Sequence, residues 1–373
     1  MSDSASDIRP TGPVLRPGID AIAPYVGGEA KIPGANRIIK LASNENALGP
    51  SPKAIAALQA HAASAHRYPD GNAVELRAAL AGHFSLDPAR IVCGNGSDEL
   101  IALLVRAYAG PGDEVLYSRH GFLMYAISAL SVGATPVTAP EASLTADVDA
   151  LLAAVTERTK LVFLANPNNP TGTCLAAAEV RRLQAGLPPH VVLALDAAYA
   201  EFVDRPDYEP GIALVRESGN TVMLRTFSKL YALGGLRIGW AFCPPAIADA
   251  LNRLRGPFNV GAAAQSAAVA ALDDAEHAAK SLAHNRLWRD WSAAAFSRLG
   301  LVVVPSDGNF LLVRFPDAAL LNADAGFEFL KSRGIIARKM GAYHLGEYLR
   351  ITIGTEEEMR LTAAALGDFL GRR

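Results

Sequence analysis

A chain of 373 residues, 50% hydrophobic and 19% charged, predicts a globular protein large enough for two domains around a substantial core. The formal net charge of −2 argues against a nucleic acid or an anionic membrane as partner, and no apolar run approaches the ~20 residues of a membrane span. The cysteines Cys93, Cys174 and Cys243 lack the spacing of metal ligands. We therefore expect no metal site, and free, mostly buried thiols in a cytoplasmic protein.

The first part of the chain predicts few regular elements. Residues 1–11 are polar without a signal-peptide core, and we expect a flexible arm. Residues 10–33 are rich in Pro and Gly and predict an extended segment with room for one short helix, before a short strand at 38–42. Ser51 and Pro52 mark the start of a helix.

A glycine turn follows a predicted strand at 91–93 and precedes a predicted helix at 100–107. In Gly94-Asn95-Gly96-Ser97-Asp98-Glu99, free backbone N–H groups and the positive end of the helix would point at one spot, which suits an anion. The turn has neither the GK[ST] of a nucleotide P-loop nor the GxGxxG spacing. A purely structural glycine turn explains this stretch equally well.

Three further core strands each lead into polar side chains. The run 161–164 precedes a loop that contains Asn169, strand 191–195 ends at Asp196, and strand 221–226 precedes Ser228 and Lys229. Burial lowers the pKa of a lysine, as a Schiff-base amine requires. The structural alternatives are a snorkelling lysine and a helix-capping aspartate.

Strands and helices alternate through this region, which predicts an α/β fold with a mostly parallel sheet and helices on both faces. Asn169, Asp196 and Lys229 would then converge along the carboxyl edge, where such sheets bind ligands. The alanine-rich residues 262–299 predict two helices that lead to a smaller α+β unit, with strands at 301–304, 310–315, 335–338 and 349–353 and helices at 325–333 and 356–370. We expect a large domain at 46–272 and a small domain made of 12–45 and 273–373.

Pyridoxal phosphate explains the glycine anion turn, the asparagine, the aspartate and the lysine together. Its phosphate needs a helix N-terminus, hydroxyls and an arginine, and Ser228 and Arg237 supply the last two. Its pyridine nitrogen needs a carboxylate, its phenolate oxygen needs donors such as Asn and Tyr, and its aldehyde needs a lysine.

The sequence resembles the fold-type I pyridoxal-phosphate aminotransferases and, among them, the histidinol-phosphate aminotransferases. The resemblance runs from about Arg16 to the end of the chain. It is carried by Asn44-Glu45-Asn46 with Gly49-Pro50, Arg67-Tyr68-Pro69, Gly96-Ser97-Asp98-Glu99, Asn168-Asn169-Pro170-Thr171-Gly172, Asp196 with Tyr199, Ser228-Lys229 with Arg237, and Leu349-Arg350-Ile351-Thr352-Ile353-Gly354.

The resemblance implies a role for each of these positions. Lys229 would form the Schiff base and shuttle the proton, Asp196 would pair with the pyridine nitrogen, and Asn169 and Tyr199 would hold the phenolate oxygen. Phe122 would stack on the ring, and Tyr68 would reach the phosphate of the neighbouring subunit in a homodimer. The implied phosphate ligands are Gly96, Ser97, Asp98, Thr226, Ser228 and Arg237, and the implied substrate contacts are Tyr25, Asn46, Arg338 and Arg350.

The implied reaction is the transfer of an amino group from L-histidinol phosphate to 2-oxoglutarate, giving imidazole acetol phosphate and glutamate in histidine biosynthesis. Three positions depart from the family pattern: Ala197 replaces a common Glu, Phe122 replaces a common Tyr, and His120-Gly121 replaces a Pro-containing turn. The alternatives are an aromatic amino-acid aminotransferase, a phosphothreonine-type decarboxylase on the same fold, and a non-catalytic ligand sensor.

Overall fold

A seven-stranded and a four-stranded sheet organise the part of the chain that the computed structural model describes, residues 12–34 and 37–371. The arm expected at residues 1–11 lies outside the described residues. The strands are Ile39–Lys40 (β1), Ile91–Gly94 (β2), Glu114–Ser118 (β3), Thr135–Ala139 (β4), Glu141–Ala142 (β5), Thr145–Ala146 (β6), Thr159–Ala165 (β7), Val192–Asp196 (β8), Thr221–Thr226 (β9), Gly239–Phe242 (β10), Val302–Val304 (β11), Phe310–Arg314 (β12), Ile335–Ile336 (β13), Arg338–Lys339 (β14) and Tyr348–Thr352 (β15).

Where the sequence analysis recognised a capping residue, the α-helix begins close to the predicted position. Ser51 caps the first helix by accepting from the Ala54 N–H at 3.1 Å, with Pro52 in the first helical position. The α-helices are Pro52–His61 (α1), Val74–Phe84 (α2), Ser97–Tyr108 (α3), Leu123–Ser131 (α4), Val148–Ala153 (α5), Ala177–Gly186 (α6), Ile212–Glu217 (α7), Pro245–Leu254 (α8), Ala262–Leu272 (α9), Ala275–Arg298 (α10), Ala323–Ser332 (α11) and Glu356–Phe369 (α12).

The seven-stranded sheet has the order β2-β10-β9-β8-β7-β3-β4. The pairs from β9 to β4 are parallel, whereas β10 runs antiparallel to both of its neighbours. The prediction of a mostly parallel α/β sheet is therefore confirmed. The sequence analysis missed β10, because four residues after a glycine-rich turn carry no detectable periodicity.

Helices cover both faces of this sheet, because its apolar strands are buried on both sides. Leu161 and Phe163 of β7 pack in the cluster that contains α3, α4 and α8. Val162 and Leu164 of the same strand face α5, α6 and α7, and further along that face α1, α2 and α9 cover β9 and β10.

The second sheet is antiparallel, with the order β11-β12-β15-β14. Its core also takes residues from α10, α11 and α12 and from the stretch before the large sheet, including Ile39 and Leu41. Strand β1 pairs in parallel with β13, with Ile39 opposite Ile335. Residues near the two ends of the chain thus share one core.

Two details differ from the sequence expectations. Residues 12–34 contain hydrogen-bonded turns, such as Ile19 N–H to the Arg16 carbonyl, but no helix. The predicted strand 335–338 is two short strands with different partners, β13 and β14.

Within the described residues, no helix combines the length and apolar character that a membrane span requires.

Candidate active site

A cavity of about 330 Å³ lies at the carboxyl edge of the large sheet, where the four-stranded unit closes over it. Its walls contain most of the side chains that the sequence analysis selected. From the large sheet and its loops these are Ser97, Asp98, Phe122, Asn169, Asp196, Tyr199, Thr226, Ser228, Lys229 and Arg237, and from the rest of the chain Tyr25, Arg338 and Arg350.

One end of the cavity is built to hold an anion. Helix α3 starts after Gly96, whose backbone is left-handed (φ 80°) and which offers no side-chain cap to the first-turn N–H groups. Arg237 lies against Gly96, where an added Cβ would collide with its guanidinium, and donates to Asp98 at 2.9 Å. The Thr226 hydroxyl accepts from the Ser228 N–H and donates to Ser228 Oγ at 2.9 Å, so the Ser228 proton is free to bind an anion.

Asp196 is the last residue of β8 and is buried at the floor of the cavity. It accepts from the Tyr125 hydroxyl at 2.7 Å and from the Ala198 N–H at 3.2 Å. Burial nevertheless raises the pKa of Asp196 to about 6, because two hydrogen bonds only partly replace the lost hydration. A cation bound next to Asp196 would therefore stabilise its ionised carboxylate.

Lys229 follows β9, and its partly buried side chain lines the cavity. Its Nζ lies 3.5 Å from the Ser43 carbonyl oxygen and 5.6 Å from the centroid of the Tyr199 ring. Burial, and then the charge of Arg350, lower the pKa of Lys229 to about 8. Roughly a tenth of such an amine is neutral at pH 7 and able to act as a nucleophile.

Arg350 brings a buried guanidinium from β15 to the same cavity. Its Nη1 donates to Asn169 Oδ1 at 2.5 Å and its Nη2 to the Ala42 carbonyl at 2.8 Å. Its Nε has no hydrogen-bond partner in the part of the chain that the structure describes, and burial lowers the pKa of Arg350. A buried cation held by neutral groups favours an incoming anion.

A sequence model of the family described as Aminotransferase class I and II matches residues 36–366. The chain belongs to the class I and II aminotransferases. It is 62% identical to the histidinol-phosphate aminotransferase of Paramagnetospirillum magneticum over 97% of this chain and 99% of the relative. It is 58% identical to that of Rhodospirillum centenum over 96% and 99%.

The fold of the aminotransferase also matches solved structures. The histidinol-phosphate aminotransferase from Sinorhizobium meliloti, solved in complex with pyridoxal-5'-phosphate, superposes with a TM-score of 0.85 at 33% identity, over 90% of this chain and 92% of that one. The predicted fold type and the predicted class of enzyme, a pyridoxal-phosphate aminotransferase, are therefore confirmed.

The residues of the aminotransferase fit pyridoxal phosphate on their chemistry. The uncapped end of α3, two hydroxyls and Arg237 suit a phosphate dianion. Asp196 suits a pyridinium nitrogen, because pairing with a cation would relieve the cost of burying its charge. Lys229 suits an aldehyde, because its lowered pKa leaves part of the amine neutral near pH 7.

Three predicted residues do not line the cavity of this chain. Gly96 lies behind Arg237. Asn46 points away, because its Nδ2 donates to the Leu230 carbonyl and its Oδ1 accepts from the Leu48 N–H. Tyr68 is 83% exposed and stacks on Phe258 with ring centroids 4.7 Å apart, away from this cavity.

Two residues that contact the site were missed. Tyr125 holds Asp196; it lies three residues after Phe122, and that spacing on one helix face is the signal that could have found it. Asn44 lines the cavity and donates to the Tyr199 hydroxyl oxygen at 2.8 Å. Nothing in the local sequence separates Asn44 from Asn46.

A buried, hydrogen-bonded pair of His120 and Glu141 lies where the family pattern has a Pro-containing turn. His120 Nδ1 lies 2.7 Å from Glu141 Oε2, and the His120 N–H donates to Oε1 of the same carboxylate at 2.9 Å. The His120 carbonyl accepts from Asn168 Nδ2 at 3.2 Å. This pair therefore links the residue before Asn169 to the turn that carries Phe122.

Proposed function

We propose that this aminotransferase transfers the amino group of L-histidinol phosphate to 2-oxoglutarate, giving imidazole acetol phosphate and glutamate in histidine biosynthesis. The carrying observation is the buried Arg350 guanidinium, which is held only by neutral groups and lines the same cavity as a lysine of lowered pKa. The 62% and 58% identical relatives, named histidinol-phosphate aminotransferases, support this choice of substrate.

Pyridoxal phosphate supplies, when bound, an aldehyde that takes up the amino group and a ring that withdraws electrons from the substrate carbon. Asp196 would keep a proton on the pyridine nitrogen, and Asn169 and Tyr199 would donate to the ring oxygen. The N-terminus of α3, Thr226, Ser228 and Arg237 would hold the phosphate, with Gly96 giving Arg237 the room it needs. Phe122 would stack on the ring.

Lys229 would hold the aldehyde until the substrate amine displaces it, and its freed Nζ would then carry the proton of the substrate carbon. Its pKa of about 8 allows Nζ to accept that proton near neutral pH. Arg350 binds the anionic ends of both substrates, because a planar fork can hold a phosphate as well as a carboxylate. Arg338, which donates to the Val26 carbonyl at 2.7 Å, is the second cation, and Tyr25 covers the substrate.

The active unit that we propose is a homodimer in which Tyr68 contacts the cofactor phosphate of the partner. The exposure of the Tyr68 ring and its stacking on Phe258, itself 44% exposed, support a role outside its own cavity. We also propose a large domain at 46–272 with a small domain of 12–45 and 273–373, supported by the core that Ile39 shares with the C-terminal helices.

A cytoplasmic location is part of the same proposal. Cys93 and Cys243 are unpaired and buried, and burial raises the pKa of the Cys93 thiol to about 12. Such thiols stay reduced and unreactive, as is usual for cytosolic proteins.

The test compares kcat/KM for histidinol phosphate and for phenylalanine, each with 2-oxoglutarate as acceptor. We expect histidinol phosphate to be preferred by at least about 100-fold, since a site built for an anion leaves its cation unpaired when the phosphate is missing. Single-turnover changes in the cofactor absorbance, with each amine added alone, isolate the first half-reaction. A preference for phenylalanine would establish an aromatic aminotransferase and contradict the proposed substrate.

A further inference from the structure

Asn44 occupies an unusual position at the junction of the two sheets. It is 1% exposed and its backbone is left-handed (φ 54°), a conformation that costs most non-glycine residues free energy but that Asn tolerates. Its N–H donates to Thr352 Oγ1 at 2.9 Å, and its carbonyl accepts from Asn309 Nδ2 at 3.0 Å. The main chain of Asn44 is therefore fixed from both sides.

The orientation of the Asn44 amide follows from Thr352. Thr352 Oγ1 accepts from the Asn44 N–H at 2.9 Å and donates its own proton to Asn44 Oδ1 at 3.2 Å. That contact makes Oδ1 the acceptor and leaves Nδ2 on the other side of the amide. Nδ2 then donates to the Tyr199 hydroxyl oxygen at 2.8 Å.

A phenol has one proton to donate, and the direction of that proton depends on which neighbour donates to the oxygen. An N–H from Asn44 cannot receive the Tyr199 proton, so the proton must leave on another side of the oxygen. Tyr199 is 4% exposed and lines the cavity together with Asn169 and Lys229. The cavity is the side that remains.

We propose that Asn44 is a positioning residue that turns the Tyr199 hydroxyl proton into the cavity, so that Tyr199 donates to the ring oxygen of the bound cofactor. The inference rests on the proposed function, which gives Tyr199 that partner. Burial raises the pKa of Tyr199 to about 12, which keeps the phenol protonated and able to donate at neutral pH.

The same hydrogen bond joins two parts of the fold. Asn44 is held by Thr352 on β15 and by Asn309 just before β12, whereas Tyr199 follows β8 of the large sheet. The direction of the Tyr199 proton therefore depends on the packing of the four-stranded unit against the large sheet.

The experiment is a double-mutant cycle on Asn44 and Tyr199 in the cofactor-loaded enzyme. Asn44→Gly removes the amide but keeps a residue suited to the left-handed backbone, so the variant is expected to fold. Tyr199→Phe removes the hydroxyl, and the double variant removes both. The readouts are kcat/KM, the dissociation constant of pyridoxal phosphate, and the pH at which the visible absorbance of the bound cofactor changes.

We expect Asn44→Gly to lower kcat/KM by about tenfold, the size of one well-placed hydrogen bond. It should also shift the absorbance transition to higher pH, because a donor at the ring oxygen stabilises its anionic form. Tyr199→Phe should do the same, and the double variant should be no worse than Tyr199→Phe alone. Asn44→Asp keeps the size of the side chain but offers Tyr199 only acceptors. It should therefore lower kcat/KM more than Asn44→Gly does.

The failures can be told apart. If Tyr199→Phe changes neither the absorbance transition nor kcat/KM, the role of Tyr199 in the proposed function is wrong. Suppose instead that Tyr199→Phe lowers kcat/KM, and that the double variant lowers it further by the whole factor seen in Asn44→Gly alone. Asn44 then does not act through Tyr199, and the inference is overturned. An unchanged absorbance transition in Asn44→Gly overturns it as well.

Discussion

Replacing Asp196 with Asn is expected to stabilise the cofactor-free protein while weakening its hold on the cofactor. Burial raises the pKa of the Asp196 carboxyl from an ordinary 3.8 to about 6 in the folded chain. A difference of that size corresponds to about 3 kcal/mol of destabilisation once the carboxyl is ionised. Asp196 is 7% exposed, so solvent screening does not reduce this figure much.

The sign of the effect follows from proton linkage. The folded protein binds the Asp196 proton more tightly than the unfolded chain, so stability falls as the pH rises from about 4 through about 6. Asn has one acceptor oxygen and keeps one of the two hydrogen bonds from Tyr125 and Ala198, which costs about 1 kcal/mol. The net gain for Asp196→Asn is therefore about 2 kcal/mol at pH 8 and close to zero or negative at pH 4.

Urea unfolding of the cofactor-free protein at pH 5, 6, 7 and 8 measures this difference. Asp249→Asn is the matched control: its side chain is 62% exposed and pairs with Arg253 on α8, so the free energy of unfolding should change little at any of these pH values. In the loaded enzyme Asp196→Asn should bind pyridoxal phosphate less tightly and turn over orders of magnitude more slowly. A gain that is the same at every pH, or a less stable Asn variant at pH 8, would refute the reasoning.

Three further outcomes are expected. Lys229→Ala should abolish turnover and the visible absorbance of the bound cofactor, and full activity in that variant would remove Lys229 from the mechanism. Mixing Tyr68→Ala with Lys229→Ala subunits should restore up to about a quarter of the wild-type activity, because half of randomly paired dimers have one intact site; no recovery, with hybrid dimers shown to form, would place Tyr68 outside the partner's site. Arg350→Lys should raise KM for histidinol phosphate and 2-oxoglutarate alike while the cofactor absorbance stays intact, since an ammonium cannot copy the guanidinium fork; a rise for one substrate only would show that Arg350 does not serve both.

Local sequence pattern was enough to predict the floor of the cavity. Apolar runs located β8 and β9, and the geometry of parallel sheets brought Asp196 and Lys229 to one edge. Each of these side chains has its position set by the strand that precedes it. Such positions depend on short-range information, which a sequence carries.

Contacts between distant segments could not be predicted in the same way. The Tyr125 hydroxyl reaches Asp196 only after α4 has packed on the sheet. Asn44 lines the cavity and has the left-handed backbone, whereas Asn46 turns its amide towards the Leu230 carbonyl, and nothing in the motif reveals which asparagine adopts that backbone. The role proposed for Tyr68 depends on a second chain, which no local pattern in this sequence can reveal, so it stays a prediction.

The pairing of β1 with β13 sets the order in which a growing chain can complete this enzyme. All seven strands of the large sheet lie between residues 91 and 242, so the anion turn, Asp196 and Lys229 can assemble while the ribosome is still making the rest. Asn44 must wait for Thr352, 308 residues later, and Ile39 must wait for Ile335. The early segment thus leaves the ribosome long before the apolar side chains that share its core, which come from residues 288–366. During synthesis this segment is therefore open to chaperones or to misassociation.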